Sequence, residues 1–277
     1  RGREGRGLPR STTSPAAGLP KVPGMVLVAV VLCLLASEPS AAHAAWKRLA
    51  PGMEFTWLAA KALDPAGESR IAVARIDPAR WDLQLVGLRH PGDTRARTAR
   101  EWANARGLAV AINAGMFARD QRTHVGYMES RGQVRSGSIN EYRSVAAFDP
   151  RDAGSPPFRI FDLDAPRTTL PALRRQYASL LQNLRLIQRP GTSRWRRQDR
   201  KWSEAALGED RVGRIVLVLS PAPLSMHEFN RHLLSAPLGL VAAQHLEGGP
   251  HAQLYLHVGE VEIEVVGRYS SGGLEAS

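Results

Sequence analysis

The chain has 277 residues, with 37 Lys+Arg against 26 Asp+Glu and a formal charge of +11. Its 43% hydrophobic and 23% charged fractions are those of a globular protein and exclude fibrous, collagen-like and wholly disordered classes. Only Lys21, Lys47, Lys61 and Lys201 are lysines, and the arginines run through the whole chain, as a genome-level compositional bias would distribute them.

Residues 1–24 are rich in Arg, Gly, Pro, Ser and Thr and have no apolar periodicity, so they read as a disordered or spurious upstream segment. Residues 25–44 have the form of a signal peptide. Lys21 lies just upstream, Val26 to Ala36 is apolar, and Ala42-His43-Ala44 offers small residues at a cleavage site. The run is too short for a membrane anchor, which needs roughly 20 apolar residues. Cleavage after Ala44 would remove Cys33, the only cysteine, and leave an exported chain without disulfides or thiol chemistry. The expectation is a periplasmic or secreted protein with no stable membrane span after cleavage.

In the mature part, Phe55–Ala60 and Ser69–Ile76 read as strands joined by the turn Asp64-Pro65-Ala66-Gly67. Trp81 to Leu88 alternates apolar and polar residues and reads as a third strand. Thr98 to Arg106 puts Ala99, Trp102 and Ala103 on one helical face, and Gly107 ends it. Leu108–Ile112 is a short apolar run, expected as a buried central strand. Gly115, Gly126, Gly132 and Gly137 then mark loops and short strands. Leu173–Leu181 reads as a helix, and Asn183–Gln188 and Val212–Leu219 as strands. Ser225-Met226-His227-Glu228 has the capping-box form and opens a helix through Leu234, stopped by Pro237. Leu240–Leu246, Gln253–Val258 and Glu260–Val266 read as the last strands, before a loose tail at 269–277. The whole is expected to be α+β: a single domain over 45–268 with a mixed β-sheet and flanking helices.

Several segments carry chemical possibilities. Arg194 to Trp202 packs five cations and two tryptophans into nine residues, which fits a nucleic-acid surface, a phosphate-bearing ligand or a solvated loop. His227-Glu228-Phe229-Asn230-Arg231-His232 fails as a zinc-protease motif, because its second His lies five residues after the first rather than four. No nucleophile elbow, dinucleotide fingerprint or P-loop is present. Asn113-Ala114-Gly115 follows the short apolar run, where an amide can point into a cleft and Gly115 allows a sharp turn or close approach. Leu246-Glu247-Gly248-Gly249-Pro250 sets a carboxylate beside two glycines whose amides can cradle an anion.

Taken together these segments resemble the phosphodiester glycosidase family over roughly Phe55 to Val266. Asn113-Ala114-Gly115-Met116-Phe117 is similar to the family's N-A/G-G-M/F-F motif. His124 to Gly132 is similar to its P-V-G-L-x-x-x-x-G turn, Gln182 to Ile187 to its Q-S-G-P-x-L strand, and Leu246 to Pro250 to its L-D-G-G-x signature. Glu247 stands where the family has Asp, Leu184-Arg185 where it has G-P, and Trp202 to Gly208 where it has R-T/N-x-x-G.

The resemblance implies an exported hydrolase that cleaves a glycosyl phosphodiester by carboxylate-assisted attack of water. Its substrate would be a phosphorylated glycan or glycoconjugate, not nucleic acid. Glu247 would be the catalytic carboxylate and Asn113 would orient a sugar hydroxyl. Gly115, Gly248, Gly249, His251, Arg185 and Arg122 would bind substrate, the last two taking phosphate. The family allows a divalent cation such as calcium, but the sequence holds no calcium loop and no metal ligand is assigned. The alternative is a non-catalytic envelope protein that binds phosphorylated or acidic glycans.

Overall fold

A computed structural model describes residues 45–60, 70–87, 96–120 and 122–269. The expected signal segment, the turn at 64–67 and the tail beyond Tyr269 lie outside the described residues.

In chain order the elements begin with β1 (Lys47–Ala50), β2 (Met53–Ala59), β3 (Arg70–Ile76), α1 (Ala99–Arg106), β4 (Val110–Ile112), β5 (Met128–Ser130) and β6 (Gln133–Ser136). There follow β7 (Ser144–Pro150), β8 (Phe158–Asp162), α2 (Leu170–Gln176), β9 (Tyr177–Asn183), β10 (Arg185–Gln188), β11 (Thr192–Ser193) and β12 (Trp202–Asp210). The last are β13 (Ile215–Leu224), α3 (Met226–Ser235), β14 (Leu240–Gly248), the 3-10 turn Gly249–His251, β15 (Gln253–Val258) and β16 (Val261–Val266). They form an eight-stranded sheet ordered β1-β2-β3-β13-β12-β14-β10-β11, a five-stranded sheet β6-β5-β9-β7-β8 and a three-stranded sheet β16-β15-β4.

Every ladder among the described residues is antiparallel, which corrects the expected mixed sheet. The fold is dominated by sheet, with three short helices. The physical reason lies in the connections: tight turns join β5 to β6, β12 to β13 and β15 to β16, and a tight turn reverses the chain.

The main core lies where the three sheets meet. Phe55, Leu217 and Leu246 of the large sheet, Phe158 and Leu181 of the second, and Leu254 and Leu256 of the third share one buried cluster. The other face of the large sheet packs Val73, Val218 and Ala243 against Phe229 and Leu233 of α3. The outer face of the five-stranded sheet buries Val145 and Leu180 with Leu173 of α2.

Local chemistry sets the helix ends. Thr98 and Ser225 close capping boxes with Glu101 and Glu228, and Gly107 ends α1 in the left-handed region. Three expectations need correction. Trp81–Gly87 belongs to no sheet, although Trp81, Leu83 and Leu85 still pack on the core; alternation recorded a half-buried extended segment, not a ladder. The strand at 110–112 is an edge strand, half-buried rather than central, because only β15 pairs with it. The helix expected over 173–181 ends at Gln176. Tyr177 turns to extended backbone, and Leu180 and Leu181 then point into different clusters, as strand neighbours do.

Candidate functional site

The site is built around the end of β14. Glu247 pairs in register with Ala205 of β12, just past a register shift between Ala205 and Ala206. A bulge of this kind re-aims side chains at the end of a ladder. The Gly248 amide donates to Glu247 Oε1 at 3.0 Å. Burial raises the Glu247 carboxyl above its ordinary range, against the pull of that amide and of His245 and His251.

Beside it sits a pair that the sequence reading did not single out. Glu204 of β12 is fully buried, and its Oε2 lies 2.8 Å from Nδ1 of His245, itself 3% exposed. Burial raises the Glu204 carboxyl, while His245 draws it down. Glu204 Oε1 is buried without a hydrogen-bond partner among the described residues. The contact fixes the imidazole through Nδ1 and leaves Nε2 for another partner, the arrangement by which a carboxylate orients an acid–base histidine. The sequence carried a signal for both residues: each interrupts an apolar strand, Glu204 before Ala205-Ala206-Leu207 and His245 before Leu246.

A second polar group forms where the 113–115 segment meets β9. His124 Nε2 lies 2.8 Å from the Gln182 carbonyl, while its Nδ1 has no hydrogen-bond partner among the described residues. Burial lowers the His124 pKa, so the neutral ring is favoured. Asn183 donates to the Ala114 carbonyl at 2.9 Å, and its Oδ1 is unpartnered among the described residues. Gly115 lies at φ +154°, and a Cβ there would stand 2.3 Å from His124 Cε1 and 2.5 Å from Asn183 Oδ1. Only glycine lets the backbone pass this close. Next along the sheet, Ser144 pairs with Asn183, and its hydroxyl donates to Gln244 Oε1 across to β14; Gln244 Nε2 is unpartnered.

Of the six buried side-chain polar atoms without a partner among the described residues, four lie here: on His124, Asn183, Glu204 and Gln244. Buried polar atoms are ordinarily paired with protein or with ordered water, so this concentration is what makes the region the candidate site.

The 113–115 segment joins the two groups. Asn113 donates from Nδ2 to the His251 carbonyl at 3.0 Å and accepts from the Gln253 amide at 2.6 Å. Both ends of its amide therefore brace the turn that follows Glu247. Gly249, at φ +64°, opens that turn, and His251 sits exposed at its end, close enough to act on the Glu247 charge. Gly248 is needed for space: a Cβ there would meet Trp202 Cδ1 at 2.7 Å.

The expected phosphate ligands fall elsewhere. Arg185 bridges Asp162 at 3.1 Å and Asp164 at 2.6 Å, one residue beyond Leu184, whose carbonyl accepts from the His245 amide. Arg122 lies on the exposed turn between Phe117 and His124, beside Asp120. The structure thus brings together Glu247, Gly248, Gly249, His251, Asn113 and Gly115, and sets Arg185 and Arg122 at the margins. Among the described residues no three His, Cys, Asp or Glu side chains converge to hold a metal ion. No helix of the described residues is long and apolar enough to cross a membrane.

No curated protein sequence matches this chain. Among solved structures it is similar to the zebrafish N-acetylglucosamine-1-phosphodiester alpha-N-acetylglucosaminidase catalytic domain auto-inhibited by its pro-peptide. That likeness has 17% identity and a TM-score of 0.60, over 85% of this chain and 82% of that one. It is also similar to a hypothetical protein from Synechocystis at 17% identity and a TM-score of 0.51, over 82% of this chain and 63% of that one. At these identities the likeness shows the fold. The sequence profile of the phosphodiester glycosidases matches residues 106–274, more than half of the chain and the whole of the candidate site, and the protein belongs to that family of hydrolases.

Proposed function

We propose that the protein hydrolyses a glycosyl phosphodiester at the sugar carbon, on an exported phosphorylated glycan or glycoconjugate. The observation that carries this reading is the buried Glu204–His245 pair beside Glu247, among unpartnered polar atoms. In this reaction the bond from C1 to the phosphate oxygen breaks. The phosphate monoester leaves with the electron pair, and water supplies the hydroxyl to C1. A phosphate is a stable leaving anion, so the larger demands are a base for the water and charge stabilisation at the sugar.

Glu247 answers both as a half-buried carboxylate. It takes the proton of the attacking water and faces the positive charge that develops on the ring. Burial favours the acid form of Glu204, which donates to Nδ1 of His245, so that Nε2 carries the hydrogen and donates it to the departing phosphate oxygen. Asn113 acts as a positioning residue, since its amide fixes the turn that carries His251.

The test is release of reducing sugar from UDP-N-acetylglucosamine and from sugar-1-phosphodiesters by the purified chain. Turnover should fall strongly in Glu247→Gln and His245→Gln, and the pH profile of kcat should change shape in Glu204→Gln. Wild-type protein that binds these compounds through Glu247 without releasing sugar would instead establish the non-catalytic glycan binder.

A further inference from the structure

Next to the candidate site lies a cleft that no part of the proposed reaction uses. It has a volume of about 360 Å³, and five arginines (Arg143, Arg185, Arg194, Arg196 and Arg197) line it together with Trp195. Glu141 is the one carboxylate among its lining residues. The cleft adjoins the catalytic strand directly: Arg185 pairs in register with Gln244, and the Leu184 carbonyl accepts from the His245 amide.

Its cations divide into two kinds. Arg185 is committed to Asp162 and Asp164, Arg143 lies close enough to act on the Asp164 charge, and Arg194 donates to Gln188 at 2.8 Å, so these three shape the wall. The guanidinium groups of Arg196 and Arg197 have no ion pair or hydrogen bond among the described residues. Trp195 anchors their loop by donating from Nε1 to the Arg185 carbonyl at 2.9 Å, and His227 Nδ1 lies 2.9 Å from the Trp195 carbonyl. The loop is thus tied down at its tryptophan, and the two arginines that follow are left uncommitted. A concave wall of like charge focuses potential and attracts anions. Guanidinium matches the oxygens of phosphate in paired contacts.

We propose that this cleft binds a second phosphate of the glycan whose first phosphate is cleaved, so that the preferred substrate is a chain carrying repeated phosphodiesters rather than one capping sugar. The naming of the substrate rests on the proposed hydrolysis; the anion site stands on its own geometry. Single-stranded nucleic acid fits less well. Stacking bases needs successive aromatic platforms, and Trp195 is the one aromatic among the residues that line the cleft.

The experiment is calorimetric titration of the full chain with inorganic tripolyphosphate, orthophosphate, a mannosyl-phosphate polymer and a dT12 oligonucleotide. Wild type should bind tripolyphosphate at least about tenfold more tightly than orthophosphate, and Arg196→Ser with Arg197→Ser should lose about that factor. Thermal melts check that the double variant is folded. A control that removes the same charge at Lys47 and Arg48, exposed on β1 at the opposite edge of the large sheet from β10 and β11, should shift affinity by less than about twofold, since distant exposed charges are screened. Equal losses in the two double variants, or none in the first, would overturn the site. Tighter binding of dT12 than of the polymer at equal phosphate would overturn the glycan assignment. Glu247→Gln should leave tripolyphosphate binding intact, so the anion site is judged separately from turnover.

Discussion

In Glu247 a proposed catalytic role coincides with a burial penalty on the charged form. Burial favours its neutral form, and the single Gly248 amide only partly offsets this. In Glu247→Gln, sugar release should fall about 10²–10⁴-fold, the usual range for a lost acid–base group. The sign of the stability change follows from proton linkage. A carboxyl whose folded pKa is raised holds its proton longer in the native state, so its favourable contribution exists below the unfolded pKa and is lost as pH rises through the folded value. Denaturant melts of Glu247→Gln should therefore match or exceed wild type near neutral pH, and that advantage should vanish on going below the ordinary carboxylate range. His124 has the opposite dependence: its depressed pKa makes the native state bind fewer protons, so its share of stability fades as pH falls through about 6.5. Gly115 is the steric counterpart. An added Cβ would meet His124 and Asn183 at under 3 Å, on backbone at φ +154°. Gly115→Ala should lower unfolding free energy by about 1–3 kcal/mol and also depress turnover, measured by urea melts beside the sugar-release assay.

At the scale of elements, ends were more legible than pairings. The capping box at Ser225 and the stop at Pro237 place α3 from local chemistry alone, because a cap satisfies amides within one turn of chain. Ser225 is buried and accepts from the Glu228 amide. Ser225→Ala should reduce unfolding free energy by about 1 kcal/mol, and up to about 2, with unchanged kcat; a denaturant midpoint shift at constant m-value checks it. The strands β7, β8 and β12 were missed for a different reason. In β12, Ser203, Glu204, Glu209 and Asp210 are all buried, so its pattern is neither alternating nor continuously apolar. Their partners come from remote segments: Glu209 accepts from the Ile160 amide and pairs with Arg189, and Glu204 meets His245. The same fact hid half of the site. Glu247 and Gly115 could be read from a local motif, whereas Glu204 and His245 show locally only as polar interruptions of apolar strands, and their pairing, like the contact of Gln244 with Ser144, is made between residues far apart in the chain.

At the scale of the whole molecule, the three sheets meet in one large core, and the candidate site sits where β14, the turn at 249–251 and the 113–115 segment come together beside it. That core also bears on export. Residues 45–277 contain no cysteine, so no disulfide can brace the domain. Stability has to come from burial, and three apolar clusters on both faces of two sheets supply it. A domain of this kind should fold equally well in a reducing and an oxidising compartment, so cysteine usage does not decide its location. The expectation of export rests on the sequence of 25–44 alone, where a basic flank, a short apolar run and Ala42-His43-Ala44 have the form of a signal peptide. We therefore expect that the chain expressed from Met25 in a Gram-negative-type host is recovered from the periplasm beginning at Ala45, by N-terminal sequencing. Its melting temperature should not respond to added thiol reductant. A full-length species that persists in the cytoplasm would refute export, and with it the placement of the substrate in the envelope. The hydrolysis proposed at Glu247 would survive that result, because it is argued from the β12–β14 ladder and not from the compartment.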